Sequence, residues 1–155
     1  MCMVCGVENE CGLHARFLEL DSGELMGVFD PREEHQGYPG RMHGGILTAI
    51  VDEAIGRAIA VGDPGAWGVT VELSMRFRRP VPLDRPIRVL ARITEDNGRI
   101  FQGVGEIVLD DGTVAVTGSG KYMRLPIERI SVGDLSAEMR VDDRPAPEYI
   151  EIARP

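Results

Sequence analysis

Residues 43–61 read HGGILTAIVDEAIGRAIAV, and the rest of the chain is best understood from this stretch outward. It alone combines helical length with the absence of proline, and Gly62-Asp63-Pro64-Gly65 ends it in a helix-breaking turn. Ile46, Leu47, Ala49, Ile50, Val51, Ala54, Ile55, Ala58 and Ile59 place apolar groups nearly all round the predicted helix. A helix of that kind is buried on most sides rather than laid on a surface. Asp52, Glu53 and Arg57 interrupt it. Glu53 and Arg57 have the i,i+4 spacing of an ion pair, which accounts for both. Asp52 must find a partner, such as Thr70 or an arginine, or reach a cleft where it works as general base or nucleophile. Glu53 points about 100° away on a helix, so the two acids do not share one task.

Strand-like runs flank the helix. Residues 13–20 and 25–30 form a hairpin through Asp21-Ser22-Gly23, and a loop rich in Pro, Gly and charge spans 31–42. After the helix, residues 67–79 alternate through Val69 and Val71 into Pro80-Val81-Pro82. Runs at 87–95 and 100–109 meet at Asp96-Asn97-Gly98, and Asp110-Asp111-Gly112 turns into 113–123. Two strands, one buried helix and a four-strand antiparallel meander predict an α+β domain, a curved sheet wrapped around one central helix. The domain covers residues 1–124. Residues 125–155 carry more Pro and charge and read as a C-terminal arm, with a short helix near 135–140.

With 155 residues and 43% hydrophobic content the chain makes one folded domain without disulfides. A formal charge of −8 argues against nucleic-acid or membrane-surface partners, which call for a basic face. No run approaches a membrane span, and the N-terminal MCMVCGVENECG lacks the basic and apolar regions of a secretory signal. Three cysteines within the first eleven positions make no disulfide framework, so a reduced, cytoplasmic setting is expected. Cys2, Cys5, Cys11 and His14 do offer four zinc ligands, at a tighter spacing than zinc knuckles use. The preferred reading is reduced, partly buried cysteines and no metal.

Chemistry concentrates at Gly37-Tyr38-Pro39-Gly40-Arg41-Met42-His43-Gly44-Gly45. Two glycines at a helix start leave N–H groups unobstructed, without intrahelical partners and at the positive end of the helix dipole. Such a turn can hold a carbonyl oxygen or oxyanion, or can simply be demanded by packing.

His43-Gly44-Gly45, Asp52 nine positions later and the strand–helix–strand order resemble the hotdog-fold thioesterases, in particular small acyl-CoA thioesterases of the phenylacetate-pathway and human thioesterase-superfamily type. Cys2-x-x-Cys5-Gly6-x-x-Asn9-x-x-Gly12-Leu13 also recurs in bacterial relatives of that type, so the resemblance covers about residues 2–124. It implies hydrolysis of an acyl-CoA or related thioester without a cofactor. Asp52 would attack the carbonyl or activate water, and the Gly44 N–H would polarise the carbonyl oxygen. His43 would support the loop, Gly45 would line the substrate turn, and Thr70 would position water or the carboxylate. Relatives carry an Asn six positions before the His; here Gly37 stands there, and Gln36 is read as the substitute amide. The resemblance further implies a site shared between two protomers, in a homodimer or homotetramer. CoA phosphates need cations, and Arg76, Arg78 and Arg79, with Lys121 and Arg124 on the last strand, are the candidates. A non-catalytic acyl-CoA-binding module and a hotdog hydratase or dehydratase are the alternatives.

Overall fold

The computed structural model describes residues 1–133 together with Pro145 and Pro147. Its elements are β1 (Arg16–Glu19), β2 (Leu25–Phe29), a 3-10 turn (Glu33–His35), α1 (Gly44–Gly62), β3 (Gly68–Phe77), β4 (Ile87–Asp96), β5 (Ile100–Val108), β6 (Val114–Arg124) and α2 (Ile127–Ile130). The strands form one antiparallel sheet in the order β1-β2-β4-β5-β6-β3. The expected α+β architecture is therefore present, with the sheet wrapped around α1. The helix predicted near 135–140 lies outside the described residues. Among those described, no helix is long and apolar enough to cross a membrane.

α1 buries Leu47, Ile50, Val51, Ala54, Ile55, Ala58 and Ile59 against the sheet. Its other side is half-buried rather than enclosed, so the all-round apolar pattern overstates how much one chain covers. What lets the helix approach is a floor of glycines. Gly103 pairs with Gly120, and Gly105 with Gly118, across β5 and β6. A Cβ at Gly103 would stand 2.6 Å from Ile55 Cγ2, and one at Gly118 would stand 2.6 Å from Val51 Cγ1 and 2.8 Å from Met75 Sδ. Those gaps are well below van der Waals contact, so the helix backbone could not lie this close over side-chain-bearing strands.

The N-terminal segment differs from the sequence expectation. The first strand begins at Arg16 rather than at 13, because Leu13 and Ala15 donate their N–H groups to the carbonyls of Met3 (2.9 Å) and Val4 (2.7 Å). Residues 1–15 thus form a folded lip. Buried His35 fastens it to the loop before α1: its Nδ1 accepts from Arg32 N–H at 3.0 Å, and its Nε2 lies 3.3 Å from the Cys11 carbonyl. Arg32 adds bonds to the carbonyls of Glu10 and Gly12.

Filling the glycine floor tests this account. Gly118→Val should destabilise the fold by about 1–3 kcal/mol through overpacking. Gly62→Ala, where nothing lies within 4 Å of the added Cβ, should not lower the urea midpoint.

Candidate active site

Asp52 projects from α1 toward the junction of β3 and β6, where Thr70 pairs directly with Tyr122. Its Oδ1 accepts a bond from Thr70 Oγ1 at 2.9 Å and another from the Tyr122 hydroxyl at 2.9 Å. That hydroxyl also lies 3.1 Å from the Asp52 carbonyl oxygen. Oδ2 has no hydrogen-bond partner among the described residues. One carboxylate oxygen is thus anchored and the other is left to act.

Local sequence explains the placement. The β3–β6 register shifts between Thr70 and Glu72, so Val71 is an extra residue at a β-bulge. Were residues 70–73 regular strand without the bulge, alternation would send Thr70 and Leu73 to opposite faces. With it, Thr70 meets Asp52 while Leu73 and Met75 still pack on the core. Tyr122 is buried, stacked on Phe101 with centroids 5.1 Å apart, and its ring fills the space left by Gly120 and Gly56. Burial, reinforced by the Asp52 charge, pushes its phenol pKa above the usual value, so the hydroxyl remains a donor.

The other end of α1 holds the second set of groups. His43 caps the helix, its Nδ1 accepting from Gly45 N–H at 2.9 Å, which leaves the ring proton on Nε2. The Gly44 N–H has no acceptor among the described residues, and the Phe77 ring flanks this position. Gly37 packs against His43; a Cβ there would come within 3.1 Å of His43 Cα. Gln36 directs its Oε1 to Gly40 N–H at 2.7 Å, closing the loop and leaving its NH2 group unengaged.

Asp52, Thr70 and Tyr122 therefore form one set, and His43, Gly44, Gly45 and Gln36 another. Eight residues of helix separate Gly44 from Asp52, about 12 Å of axial rise. One thioester carbonyl cannot bridge that distance. β3 runs back along α1, with Thr70 beside Asp52 and Phe77 beside Gly44. It is a sheet edge, with Val71 and Phe77 exposed.

Arg76 and Arg78 alternate with Met75, which packs on the core, and Phe77, whose ring lies beside Gly44 of α1, so they lie on the outer sheet face, opposite Asp52. With Arg92, Ser74, Glu106 and Ser119 they line a shallow groove of about 370 Å³. Arg76, Arg78 and Arg79 have no acidic partner among the described residues. Lys121 is engaged by Glu72 at 2.8 Å, and Arg124 by Asp96 and Asp63.

The four-ligand zinc alternative is not assembled. His14 Nε2 lies 2.7 Å from the Asn9 carbonyl, while Cys11 N–H bonds to Asn9 Oδ1. Cys2 and Cys5 instead converge with Glu53, their donor atoms within 4.8 Å of one another. The expected Glu53–Arg57 pair is present at 2.6 Å. Tyr122 was not anticipated; its one sequence signal is the alternation Gly118-x-Gly120-x-Tyr122 on the core-facing side of β6.

A curved antiparallel sheet around one helix, with an acid at mid-helix and a glycine turn at its start, is the architecture of the hotdog fold. The family model for the thioesterase superfamily matches residues 39–116, and the chain belongs to that family. Among curated relatives, the bovine acyl-coenzyme A thioesterase THEM4 is 29% identical over 128 residues, covering 81% of this chain and 52% of that protein. The human acyl-coenzyme A thioesterase THEM5 is 26% identical over 126 residues, covering 81% and 50%. The chain thus spans about half the length of these curated relatives. Among solved structures, a thioesterase superfamily protein is 32% identical with a TM-score of 0.69, covering 75% of this chain and 59% of that one. A mutant of the phenylacetic acid degradation protein PaaI from Thermus thermophilus is 26% identical with a TM-score of 0.63, covering 73% and 95%.

The Tyr122 hydroxyl can be tested by alkaline unfolding. Above the ordinary tyrosine pKa of 10.0 the unfolded chain ionises this phenol while the folded chain retains the proton. The unfolded state then binds fewer protons, so stability falls as pH rises through this window. In Tyr122→Phe, the plot of unfolding free energy against pH above about 10 should be shallower, by up to about 1.4 kcal/mol per pH unit.

Proposed function

We propose that the chain hydrolyses acyl thioesters, with acyl-CoA as the substrate class, in a site completed by a second copy. The observation that carries this reading is the division of α1. At its middle lies a carboxylate with one oxygen anchored and one free; at its start lies an unengaged N–H, about 12 Å away.

Edge-to-edge antiparallel pairing of β3 with β3 of another copy brings the two sets together. A two-fold axis near the middle of β3 sets Thr70 opposite Phe77 of the second copy. Asp52 of one chain then approaches Gly44 of the other. The pairing also covers an exposed edge strand. A homodimer, or a homotetramer built from two such dimers, is the state that follows.

In that site the free Oδ2 of Asp52 takes a proton from water as the water oxygen bonds to the carbonyl carbon. Thr70 and Tyr122 hold the carboxylate through Oδ1. The carbonyl oxygen becomes an oxyanion and accepts the Gly44 N–H bond, at the positive end of α1. Collapse expels the thiolate, a stable leaving group that needs no strong acid. His43 keeps the turn in shape, Gly45 lines it, and the free NH2 of Gln36 is available to the attacking water. Of the expected cations Arg79, past the end of β3, is the one for a CoA phosphate at this site, since Arg76, Arg78 and Lys121 face away from Asp52 across the sheet. The three free cysteines suit a reducing, cytoplasmic compartment.

The experiment is thiol release from a panel of acyl-CoA substrates. Asp52→Asn should lower kcat/KM by about 10²–10⁴. Gly44→Pro deletes the donor at a position where proline fits the first helical turn, and His43 before it is already extended at φ −69, ψ 134. It should cost about 10²–10³. Co-refolding the two variants should restore about a quarter of wild-type activity, since statistical mixing gives half the dimers one intact site. Activity unchanged by Asp52→Asn would sink the mechanism; no recovery on mixing would sink the shared site.

A further inference from the structure

The N-terminal lip holds a second chemical constellation that thioester hydrolysis leaves unused. Cys2 and Cys5 are the ends of a tight turn closed by Gly6 N–H to the Cys2 carbonyl at 3.0 Å. Only glycine fits after Cys5: a Cβ at Gly6 would stand 2.4 Å from Cys2 N and 2.6 Å from Cys2 O. The turn thus brings the two sulfurs within 4.8 Å of each other. Cys2 is exposed and Cys5 is half-buried behind it.

Two donors and one acceptor surround the sulfurs. Val4 N–H points at Cys2 Sγ, 3.3 Å away. Arg57 Nη2 lies 2.9 Å from Cys5 Sγ, and Glu53 Oε1 lies 3.7 Å from the same sulfur. Arg57 is fixed by its 2.6 Å bond to Glu53 and by packing 5.0 Å above the Phe17 ring. An exposed sulfur with N–H support, a second sulfur behind it, a cation on the second and a carboxylate to take its proton form the set that thiol–disulfide exchange requires. The Arg57 guanidinium lies 2.9 Å from Cys5 Sγ, a cation where a metal's own charge would be repelled, and three candidate ligands converge among the described residues.

We infer that Cys2 and Cys5 form a reversible dithiol–disulfide site, with Cys2 the attacking sulfur and Cys5 the resolving one, reacting with low-molecular-weight disulfides. The Cys2 thiolate bonds to one sulfur of the disulfide, and the other sulfur leaves as thiolate with the bonding pair. Cys5 gives its proton to Glu53, and its sulfur, held by Arg57, attacks Cys2 Sγ. The Cys2–Cys5 bond forms and the second thiolate leaves. The protein dithiol is oxidised by two electrons and the small disulfide is reduced to two thiols. The hydrogen bond from Cys5, with Val4 N–H adding to it against burial, holds the Cys2 thiol down at about 5, while the same bond and then burial push Cys5 up. This site lies on a different face of α1 from Asp52 and is independent of the hydrolytic reading.

The test uses the full chain carrying Cys11→Ser, which removes the exposed third thiol outside the cluster. Glutathione disulfide is added at pH 6 with a chelator present, and the peptide spanning residues 1–16 is weighed. The peptide should lose two hydrogens and regain them with reductant. Cys5→Ser should stop at one glutathione on Cys2, whereas Cys2→Ser should react little. Native Cys2 should exchange about five- to tenfold faster than in urea, because the gain in thiolate at pH 6 exceeds the loss of intrinsic nucleophilicity at low pKa. Arg57→Gln should make the mixed disulfide accumulate. Exchange no faster than in urea, failure to close the disulfide, or stoichiometric zinc found in the protein before chelator is added, with both thiols blocked until it is removed, would each overturn the proposal.

Discussion

How closely a helix can lie on a sheet is the constraint on which the rest of this structure depends. Gly103, Gly105, Gly118 and Gly120 remove side chains from two adjacent strands directly beneath Val51 and Ile55. The helix settles into that trough, and the sheet curves round it. Glycine in a strand costs conformational entropy and packing area. Here the cost is offset by the apolar face of α1, whose Ile50, Val51, Ala54 and Ile55 are wholly removed from solvent.

The polar site follows from that closeness. Where the floor ends, Tyr122 takes up the space and carries its hydroxyl to Asp52. One side chain therefore does two jobs: its ring completes the core and its oxygen fixes a carboxylate on a helix otherwise packed among apolar groups. The bulge at Val71 supplies the second donor by turning Thr70 inward. Both donors come from strands that pair only after long-range closure, so the site and the sheet form together.

Much of this was legible in the sequence. The apolar pattern of α1 and the turn signals at Gly23, Gly98 and Gly112 located the helix and the strand order, and each of those glycines has positive φ. Asp52 stood out because it broke an apolar pattern, and Thr70 was one of its expected partners. Tyr122 was invisible because an alternating strand residue reads as core, and its partner lies 70 positions away. The glycine floor was invisible for a related reason: four glycines in two strands become one surface only once the register is known. Spacing misled at the N-terminus. It grouped Cys11 and His14 with Cys2 and Cys5, whereas the Asn9 turn draws them aside and the helix supplies Glu53 and Arg57.

The bulge also makes the functional edge unequal in its tolerance of length change. Between Thr70 and Phe77, loss of one residue at most positions would reverse the facing of everything on one side of it, turning Leu73 or Thr70 away from the helix. Loss of Val71 or of Glu72 is different: one residue then separates Thr70 from Leu73, so simple alternation returns and Thr70, Leu73 and Met75 still face the helix. The strand thus contains one two-residue step, Val71-Glu72, that can be shortened without reversing the facing of the residues around it.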